Sequence, residues 1–361
     1  MLKIAISAAE HSGDLLASSL IKELKTQLPE CEIFGLAGDK MIKNGCKSLW
    51  HLDKVSVMGF SAVLLKLPSL LLLRKEIITT IQNQKPNVFI GVDAPDFNFK
   101  IERKLRNKGI KTVHFVSPSV WAWRQKRIKK IKKSTDLVLC LFPFEVLFYQ
   151  KHNMPAVFVG HPLADILKPR ETYQENDKLL LMPGSRKSEI KAHLEIMLES
   201  AQALKKYNNN LEITVALVND KYNLFVTQVI NKYHGVKVEY GNSHQLINEA
   251  DLVIVASGTA TLEVALIATP MVVIYKMSWL SYRIAKALVK IPFVSLPNII
   301  LNKKIVPELI QEDATVKNIV AESIKVISSD YQKLKEEFIN IHNQLKRNST
   351  KKSAQEILSR I

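Results

Sequence analysis

Short, uninterrupted apolar runs recur along this chain, and between them lie segments with the spacing of helices. The clearest run is Val88–Val92 (VFIGV), which is typical of a strand buried on both faces of a parallel sheet. Regular alternation of such strands with helices predicts a doubly wound sheet. In the first half of the chain, strands are predicted at Lys3–Ala8, Glu32–Ala37, Val88–Val92, 112–116, 137–141 and 156–159, and helices at about 14–27, 70–84, 97–107, 124–132 and 144–151.

The same pattern starts again after a polar, linker-like stretch at 162–177. At 361 residues the chain is too long for one ordinary core and suits two domains. Further strands are predicted at Lys178–Met182, 212–216, Val236–Tyr240, 252–255 and Met271–Tyr275. The predicted fold class is therefore α/β, with two doubly wound, Rossmann-like domains at 1–168 and 169–335. A helical C-terminal tail at 336–361 is expected to pack back on the first domain.

The composition favours a folded protein of a reducing compartment. Hydrophobic residues make up 47% of the chain, which excludes a disordered protein. Met1 leads directly into a strand, so we expect no signal peptide. Cys31, Cys46 and Cys140 are odd in number and widely spaced, which predicts neither a disulfide framework nor a metal cluster. A bacterial-type cytoplasm is the expected location.

The net charge of +17 requires an anionic partner. Polyanions, phosphorylated substrates and the anionic leaflet of a membrane are the candidates. Seven of the ten residues at 124–133 are Lys or Arg, and Ile128 lies three residues before Ile131. This spacing predicts a basic amphipathic helix resting on the body of its domain. No zinc-finger, aromatic-repeat or RNA-binding signature accompanies the charge, so nucleic acid is not expected as a partner.

The most apolar segment of the chain is 57–73 (VMGFSAVLLKLPSLLLL). Lys66 and Pro68 interrupt it, and spanning a bilayer requires about 20 uninterrupted apolar residues. Its leucines cover more of a helix than one core stripe requires. We therefore predict that the region near 57–75 is partly core and partly a membrane contact, held to anionic headgroups by the basic residues nearby.

Two carboxylates follow the strand Val88–Val92, within the segment 93–98 (DAPDFN). In open α/β sheets, ligands bind at the carboxyl ends of the strands. Asp93, on backbone stiffened by Pro95, is therefore predicted to take a proton from a substrate hydroxyl. Asp96 is predicted instead to cap the helix that follows it.

Two strand-to-helix turns in the second half predict a nucleotide-diphosphate site. The first turn is 183–186 (PGSR), where a helix N-terminus suits phosphate and Arg186 adds a fork for diphosphate oxygens. The second turn is 257–263 (SGTATLE), whose small residues let a phosphate approach the backbone. Glu263 either accepts hydrogen bonds from a ribose diol or interacts with the helix dipole, and the presence of two such turns in one domain favours the nucleotide.

Three further segments of the first half carry polar or aromatic groups. In 10–14 (EHSGD), Ser12 or Asp14 is predicted to cap the next helix, and Gly13 permits the close approach of a ligand. The segment 117–124 (SPSVWAWR) either lines a sugar or acyl site or forms a packed cap over the core. In the third segment, 160–163 (GHPL), His161 either has a structural role or contacts a substrate.

Together these segments resemble one family, the lipid-A-disaccharide synthases, which are glycosyltransferases of bacterial outer-membrane lipid biosynthesis. The resemblance covers nearly the whole chain. It rests on 12–14, 37–38, 57–59, 93–98, 117–124, 160–162, 183–186, 257–263, 295–298 and 306–308. One departure is Ala9, where the family usually has glycine, and its methyl group is expected to crowd the acceptor side. Asp39 replaces a proline that is usual in the family, at a peripheral position.

The resemblance implies a glycosyltransferase-B type fold and an inverting reaction that uses no metal and no cofactor. The family transfers 2,3-diacylglucosamine from its UDP conjugate to the 6-hydroxyl of 2,3-diacylglucosamine 1-phosphate (lipid X), and it releases UDP. By that likeness Asp93 is the base and Arg186 offsets charge that grows on UDP. The implied nucleotide-sugar contacts are Ser185, Arg186, Ser257, Gly258, Thr259, Ala260, Glu263 and Asn298, and the implied acceptor-side residues are Glu10, Ser12, Gly13 and Asn98.

The resemblance also implies partners and a location. The partners are UDP-2,3-diacylglucosamine, lipid X and the anionic inner membrane of a Gram-negative bacterium, with the chain peripheral on its cytoplasmic face. Whether the chain forms a homo-oligomer is left open. Two alternatives remain: another UDP-sugar enzyme of the same fold, such as a UDP-N-acetylglucosamine epimerase or a peptidoglycan glycosyltransferase, and a basic membrane- or RNA-binding protein without activity.

Overall fold

The computed structural model describes residues 1–55, 60–173, 175–289 and 291–361, and the side chains of these residues except 60–67, 280 and 287. The strands are β1 (Lys3–Ala8), β2 (Glu32–Ala37), β3 (Lys47–His51), β4 (Val88–Val92), β5 (Lys111–Phe115), β6 (Leu137–Cys140), β7 (Ala156–Phe158), β8 (Lys178–Met182), β9 (Glu212–Leu217), β10 (Val236–Tyr240), β11 (Leu252–Ala256), β12 (Met271–Tyr275) and β13 (Glu308–Ile310).

The helices alternate with these strands over most of the chain. They are α1 (His11–Gln27), α2 (Asp39–Lys43), α3 (Phe60–Gln84), α4 (Pro95–Arg106), α5 (Ile128–Lys132), α6 (Pro143–Gln150), α7 (Pro162–Ile166), α8 (Lys187–Lys205), α9 (Asn223–Ile230), α10 (Ser243–Glu249), α11 (Thr259–Ile267), α12 (Trp279–Leu288), α13 (Leu296–Leu301), α14 (Val316–Ile327), α15 (Tyr331–Leu345) and α16 (Ser349–Leu358).

The chain divides into two compact units, each built on one parallel sheet. Unit 1 comprises Met1–Asp165 and Lys346–Ile361, and unit 2 comprises Ile166–Leu345. The sheet of unit 1 has the strand order β3-β2-β1-β4-β5-β6-β7, and that of unit 2 has the order β10-β9-β8-β11-β12-β13. These two sheets with their flanking helices confirm the predicted α/β, doubly wound fold class.

In each sheet, strands that follow one another along the chain are added first on one side of the starting strand and then on the other. This change of side occurs at one pair of neighbouring strands. The pair is β1 and β4 in unit 1, and β8 and β11 in unit 2. Loops that leave such a pair run to opposite faces of the sheet and open a crevice at the carboxyl ends of the strands. The segments 10–14 and 93–98 therefore lie at the crevice of unit 1, and the turns 183–186 and 257–263 lie at the crevice of unit 2.

The core of unit 1 covers both faces of its sheet. Every residue of β4 is buried, as the continuous apolar run requires. On one face α1 packs together with α16, which contributes Ala354 and Ile357 to the core. On the other face lie α3 and α4, with Ile77 and Ile101 in contact with the same cluster.

Helix α3 contains the end of the apolar segment 57–73. Residues 57–59 lie outside the described residues, and so do the side chains of 60–67. In the part of α3 whose side chains are described, Leu73 and Ile77 are buried in the core, whereas Leu71 and Leu72 are exposed. The helix thus contributes to the core and also presents apolar surface. Of the helices in the described parts of the chain, none combines the length and the apolar character needed to cross a bilayer.

The basic helix predicted at 124–132 is shorter than expected. Arg124 has a φ of 52°, in the left-handed region, so the regular helix begins only at Ile128. Ile128 and Ile131 are both buried, which confirms that this segment rests on the body of its unit. The predicted start of the helix was wrong. The spacing of the basic residues predicts one face of a helix, but it does not predict the backbone conformation at Arg124.

Candidate functional site

Asp93 stands at the carboxyl end of β4 on unusual backbone. Both Asp93 and Ala94 have left-handed conformations, with φ values of 51° and 42°. Such conformations are costly for residues other than glycine, and two in succession persist only where the surroundings hold them. The Asp93 amide donates to the carbonyl of Phe115 at 2.9 Å, which ties the turn to β5. The half-buried Asp93 side chain is thereby held at the carboxyl end of β4.

Asn98 holds this turn from below. Its amide nitrogen donates to the carbonyls of Ser7, Val92 and Asp93 at 3.3, 3.1 and 2.9 Å, and its oxygen accepts from the Ser7 hydroxyl at 2.8 Å. The side chain is fully buried. The resemblance implies Asn98 on the acceptor side or at the reacting centre, and the structure shows its side chain bonded to the backbone of the Asp93 turn.

The segment 10–14 brings the start of α1 against the same turn. The Ser12 hydroxyl donates to the Asp93 carboxylate at 3.5 Å, and both Ser12 and Glu10 are exposed. A Cβ at Gly13 would lie 3.3 Å from the carbonyl of Val92, so a larger residue would crowd this approach. Three of the four residues implied on the acceptor side, Glu10, Ser12 and Gly13, therefore lie at the crevice of unit 1.

Three sequence predictions at this site are wrong. Neither Ser12 nor Asp14 caps α1, because the helix begins at His11, and the buried Asp14 carboxylate instead accepts from the amides of Gly38, Lys40 and Met41 at the start of α2. Asp96 does not cap α4 either: Ala94 is the N-cap, and Asp96 lies in the first turn and pairs with Arg127. Ala9 does not crowd the acceptor side, because its methyl group is buried in the apolar cluster that contains Phe97.

In unit 2, a carboxylate from the helix that follows the turn 183–186 already occupies backbone N–H groups of that turn. Glu189 accepts from the amides of Ser185 and Arg186 at 3.0 and 3.2 Å, which satisfies two N–H groups at the start of α8. Gly184 is required here, because its φ is 111° and a Cβ would lie 2.6 Å from the Glu189 carboxylate. The Arg186 side chain is 80% exposed, so its guanidinium remains accessible beside Glu189.

His193 supports this turn, although nothing in the sequence distinguishes it from other histidines. Its ring is fully buried, with Nδ1 donating to the carbonyl of Pro183 at 3.0 Å and Nε2 accepting from the amide of Lys276 at 2.8 Å. Burial lowers the pKa of His193, which favours the neutral ring that this pair of bonds requires. The ring thus joins the turn after β8 to the loop after β12. Its position on the buried face of α8 makes it look like a core residue in the sequence.

The turn 257–263 leaves the start of its helix open. Gly258 is the N-cap of α11 without a side-chain cap, and Gly258 and Thr259 are both exposed. The Ser257 hydroxyl donates to the carbonyl of Val294 at 2.8 Å, and Thr261 accepts from the amide of Leu296 at 3.2 Å. The first turn of α11, with Ala260, therefore presents backbone N–H groups on a turn that its neighbours hold in place.

Glu263 and Asn298 both have hydrogen-bond partners within unit 2. Glu263 lies 3.0 Å from His244, and its pKa is raised by burial against the opposing effect of His244. Asn298 is fully buried: its nitrogen donates to Val306 and Glu308, and its oxygen accepts from the amides of 305 and 306. Asn298 therefore shapes the loop that supports the turn 257–263.

The segment 117–124 is mostly a packed cap. Ser117 is buried and its hydroxyl lies 3.0 Å from that of Tyr149, and Trp121 packs edge-on against Phe144. Ser119, Trp123 and Arg124 are exposed, and the Arg124 guanidinium stacks on Trp123 at 4.4 Å. His161 is also structural, because it is buried, burial lowers its pKa to about 4, and it accepts from the amide of Leu163.

The described residues contain no group of three or more His, Cys, Asp or Glu side chains placed to hold a metal ion. The polar groups of the two crevices are thus carboxylates, hydroxyls, one guanidinium and the N–H groups of a helix start. A carboxylate at the end of a strand suits proton transfer, and a helix start beside an arginine suits an anion.

Comparison with known proteins identifies the family. The family model described as lipid-A-disaccharide synthetase matches residues 4–361. The chain belongs to the lipid-A-disaccharide synthase family. A lipid-A-disaccharide synthase of Pseudoalteromonas translucida is 43% identical, over 98% of this chain and 96% of the relative. One of Idiomarina loihiensis is 40% identical, again over 98% of this chain and 96% of the relative. The resemblance seen in the motifs is thereby confirmed.

Solved structures show the fold of this lipid-A-disaccharide synthase family member at lower identity. The glycotransferase of kitacinnamycin is similar with a TM-score of 0.67 at 13% identity, over 99% of each chain. A UDP-GlcNAc 2-epimerase from Neisseria meningitidis, bound to UDP-GlcNAc, is similar with a TM-score of 0.66 at 13% identity, also over 99% of each chain. These likenesses confirm the glycosyltransferase-B type fold.

Proposed function

We propose that this chain transfers 2,3-diacylglucosamine from its UDP conjugate to the 6-hydroxyl of lipid X, and so forms the β-1,6-linked disaccharide 1-phosphate and UDP. Family membership over residues 4–361 supports the reaction. The observation that carries the mechanism is the pair of left-handed residues, Asp93 and Ala94, fastened by Asn98. Backbone strain of this kind is typical of functional sites, and here it presents a carboxylate.

Asp93 acts as the general base. As the acceptor oxygen attacks the anomeric carbon, its proton passes to the Asp93 carboxylate, a new C–O bond forms, and the bond from that carbon to UDP breaks. The electron pair of the broken bond leaves with UDP, and attack from the opposite side inverts the anomeric carbon. Ser12, whose hydroxyl donates to the carboxylate, orients it, and Glu10 and Gly13 border the acceptor.

The donor is held in unit 2. The first turn of α11, at Gly258, Thr259 and Ala260, offers N–H groups to the diphosphate, and the exposed guanidinium of Arg186 offsets charge on the leaving UDP. The remaining nucleotide-sugar residues are Ser185, Ser257, Glu263 and Asn298, the last as a positioning residue. Glu189 occupies the amides of the turn 183–186, so we assign the diphosphate to the turn after β11.

Both substrates carry acyl chains, which places the reaction at a membrane. The exposed Leu71 and Leu72 of α3 and the net charge of +17 support contact with an anionic surface. We place the chain as a peripheral protein on the cytoplasmic face of the inner membrane, with the region near 57–75 as one contact.

The test is release of UDP from the diacylated donor in the presence of lipid X. For Asp93→Asn we expect kcat to fall by about 1000-fold, with UDP affinity unchanged, because only the proton acceptor is lost. Asp96→Asn is the matched control, since Asp96 is an exposed carboxylate three residues away, and its activity should equal that of the parent chain. Full activity of the Asp93 variant would remove this residue from its role.

The same assay separates the alternative functions. Turnover of unacylated UDP-N-acetylglucosamine, without need of lipid X, would favour an epimerase or a peptidoglycan transferase. RNA binding that weakens steeply with salt, together with no affinity for UDP, would favour the non-enzymatic alternative.

A further inference from the structure

Helix α12 leaves large apolar side chains in solvent. It follows β12 in unit 2, and the Ser278 side chain caps it by accepting from the amide of Ser281. Trp279 is 66% exposed, Ile284 53% and Leu288 40%. Among the α12 side chains that the structure describes, none is buried. An ordinary surface helix packs an apolar stripe against its domain, and the described side chains of α12 do not form such a buried stripe.

The spacing of these residues gives the helix two adjacent faces. One face carries four residues at helical spacing: Trp279, Tyr282, Arg283 and Lys286. The adjacent face carries Ile284 and Leu288, which lie one turn apart. Exposed apolar area costs free energy in proportion to its size, and this cost disappears when another apolar phase covers it. The two faces together match a helix that lies in an interface between water and hydrocarbon.

The basic side chains of α12 indicate that the apolar phase that covers this helix is an anionic bilayer. The guanidinium of Arg283 lies 5.2 Å from the ring centre of Trp279, and the ammonium of Lys286 lies 5.9 Å from that of Tyr282. Rings with one polar atom settle at the level of lipid headgroups, and the long basic side chains reach lipid phosphates from there. Glu312 lines the same cleft as these side chains, and the chain as a whole carries a charge of +17.

We propose that α12 is an interfacial helix through which unit 2 binds an anionic lipid bilayer. Ile284, Leu288 and Trp279 enter the boundary between headgroups and acyl chains, while Arg283 and Lys286 contact lipid phosphates. The inference rests on the proposed function in one respect: a diacylated donor resides in the bilayer, so the unit that binds it requires a membrane contact in addition to α3.

Flotation of the full chain with vesicles tests the apolar face. On vesicles of phosphatidylethanolamine and phosphatidylglycerol, the triple variant Trp279→Ser, Ile284→Ser, Leu288→Ser should bind at least about tenfold more weakly, because its apolar area no longer leaves water. The matched control is Leu224→Ser, since Leu224 is 85% exposed on α9 of the same unit, and it should bind like the parent chain.

The charged face needs a separate comparison. Arg283→Gln with Lys286→Gln should weaken binding to these vesicles by about fivefold per charge at low salt, and should leave binding to phosphatidylcholine vesicles unchanged. Lys317→Gln with Lys333→Gln removes the same charge from two exposed lysines elsewhere in unit 2 and should have little effect. Equal loss from the two pairs would reduce the effect to net charge and overturn the proposal.

Two further results would overturn it, and both are distinguishable from failure of the proposed function. Vesicle binding of the triple variant equal to that of the parent chain would exclude α12 as a membrane contact. Loss of self-association in sedimentation, with vesicle binding unchanged, would assign the helix to a second copy of the chain. Release of UDP from detergent-dispersed substrates should be the same for the triple variant and the parent chain, whichever of these results is obtained.

Discussion

Asn98→Ala tests whether the strained turn at Asp93 exists to place a carboxylate. Asn98 is fully buried, and its amide donates to three carbonyls while its oxygen accepts from Ser7. Alanine keeps the helix propensity of α4 and removes every one of these bonds. The substitution therefore removes the attachment of the turn without touching Asp93 itself.

The magnitude follows from two opposing contributions. Two consecutive left-handed residues, Asp93 and Ala94, cost about 1–2 kcal/mol each. Each buried hydrogen bond of Asn98 contributes about 1 kcal/mol, so its bonds together offset most of that strain. Without Asn98 the turn should relax, the free energy of unfolding should fall by about 2–4 kcal/mol, and the unfolding temperature should fall on the order of 10 °C.

The activity should fall further than stability alone explains. A base displaced by about 1 Å can cost about 100-fold in rate, so we expect kcat/KM to fall by that factor at a temperature where the variant is folded. Calorimetry and the UDP-release assay measure the two effects. Asn107→Ala, at the exposed C-terminal end of the same helix, is the matched control. A variant that unfolds earlier yet retains the parent kcat/KM would refute the link between the strained turn and catalysis.

Two further predictions concern groups that the structure shows to be constrained. Gly184→Ala should destabilise unit 2 by about 1–3 kcal/mol and weaken UDP binding, because the new methyl group would displace the Glu189 carboxylate. The control is Gly241→Ala, at a φ of 76° with open space around it. It should lower the stability measured by urea unfolding without changing the affinity measured by UDP titration. Burial raises the pKa of Glu145 to about 8, so the carboxyl binds more protons folded than unfolded between its ordinary value of 4.5 and 8. The stability of the parent chain relative to Glu145→Gln should therefore fall as pH rises through that window, by about 1 kcal/mol per pH unit, and a difference that is flat with pH in urea unfolding would contradict the raised pKa.

Most of the strands that the sequence predicted are largely buried, although β7 and β10, which have no buried residue, were predicted as well. A continuous run such as that of β4 indicates its own conformation, because only a sheet covered on both sides requires it. The sequence did not predict β3 and β13, each of which lies at one of the two edges of its sheet. Only Trp50 of β3 is buried, and β13 has three residues, so neither has a pattern that separates it from a loop.

The site could be predicted to the level of residue types, and its supporting contacts could not. Asp93 follows a buried strand, and that local fact was enough to select it. Asn98 and His193 act through contacts with residues distant in the chain. The resemblance named Asn98 without showing these contacts, and nothing in the sequence distinguished His193. Glu189 was visible as an acid near a helix start, but its bonds to the amides of 185 and 186 depend on the bend at Gly184.

The division of polar groups between the two units fits the demands of an inverting transfer. The base must act on the side where the acceptor enters, and the stabiliser of UDP must act on the side where the leaving group departs. Each sheet has one reversal of strand order, and so one natural crevice. The crevice of unit 1 carries the carboxylate of Asp93, whereas that of unit 2 carries an open helix start at α11 and the guanidinium of Arg186.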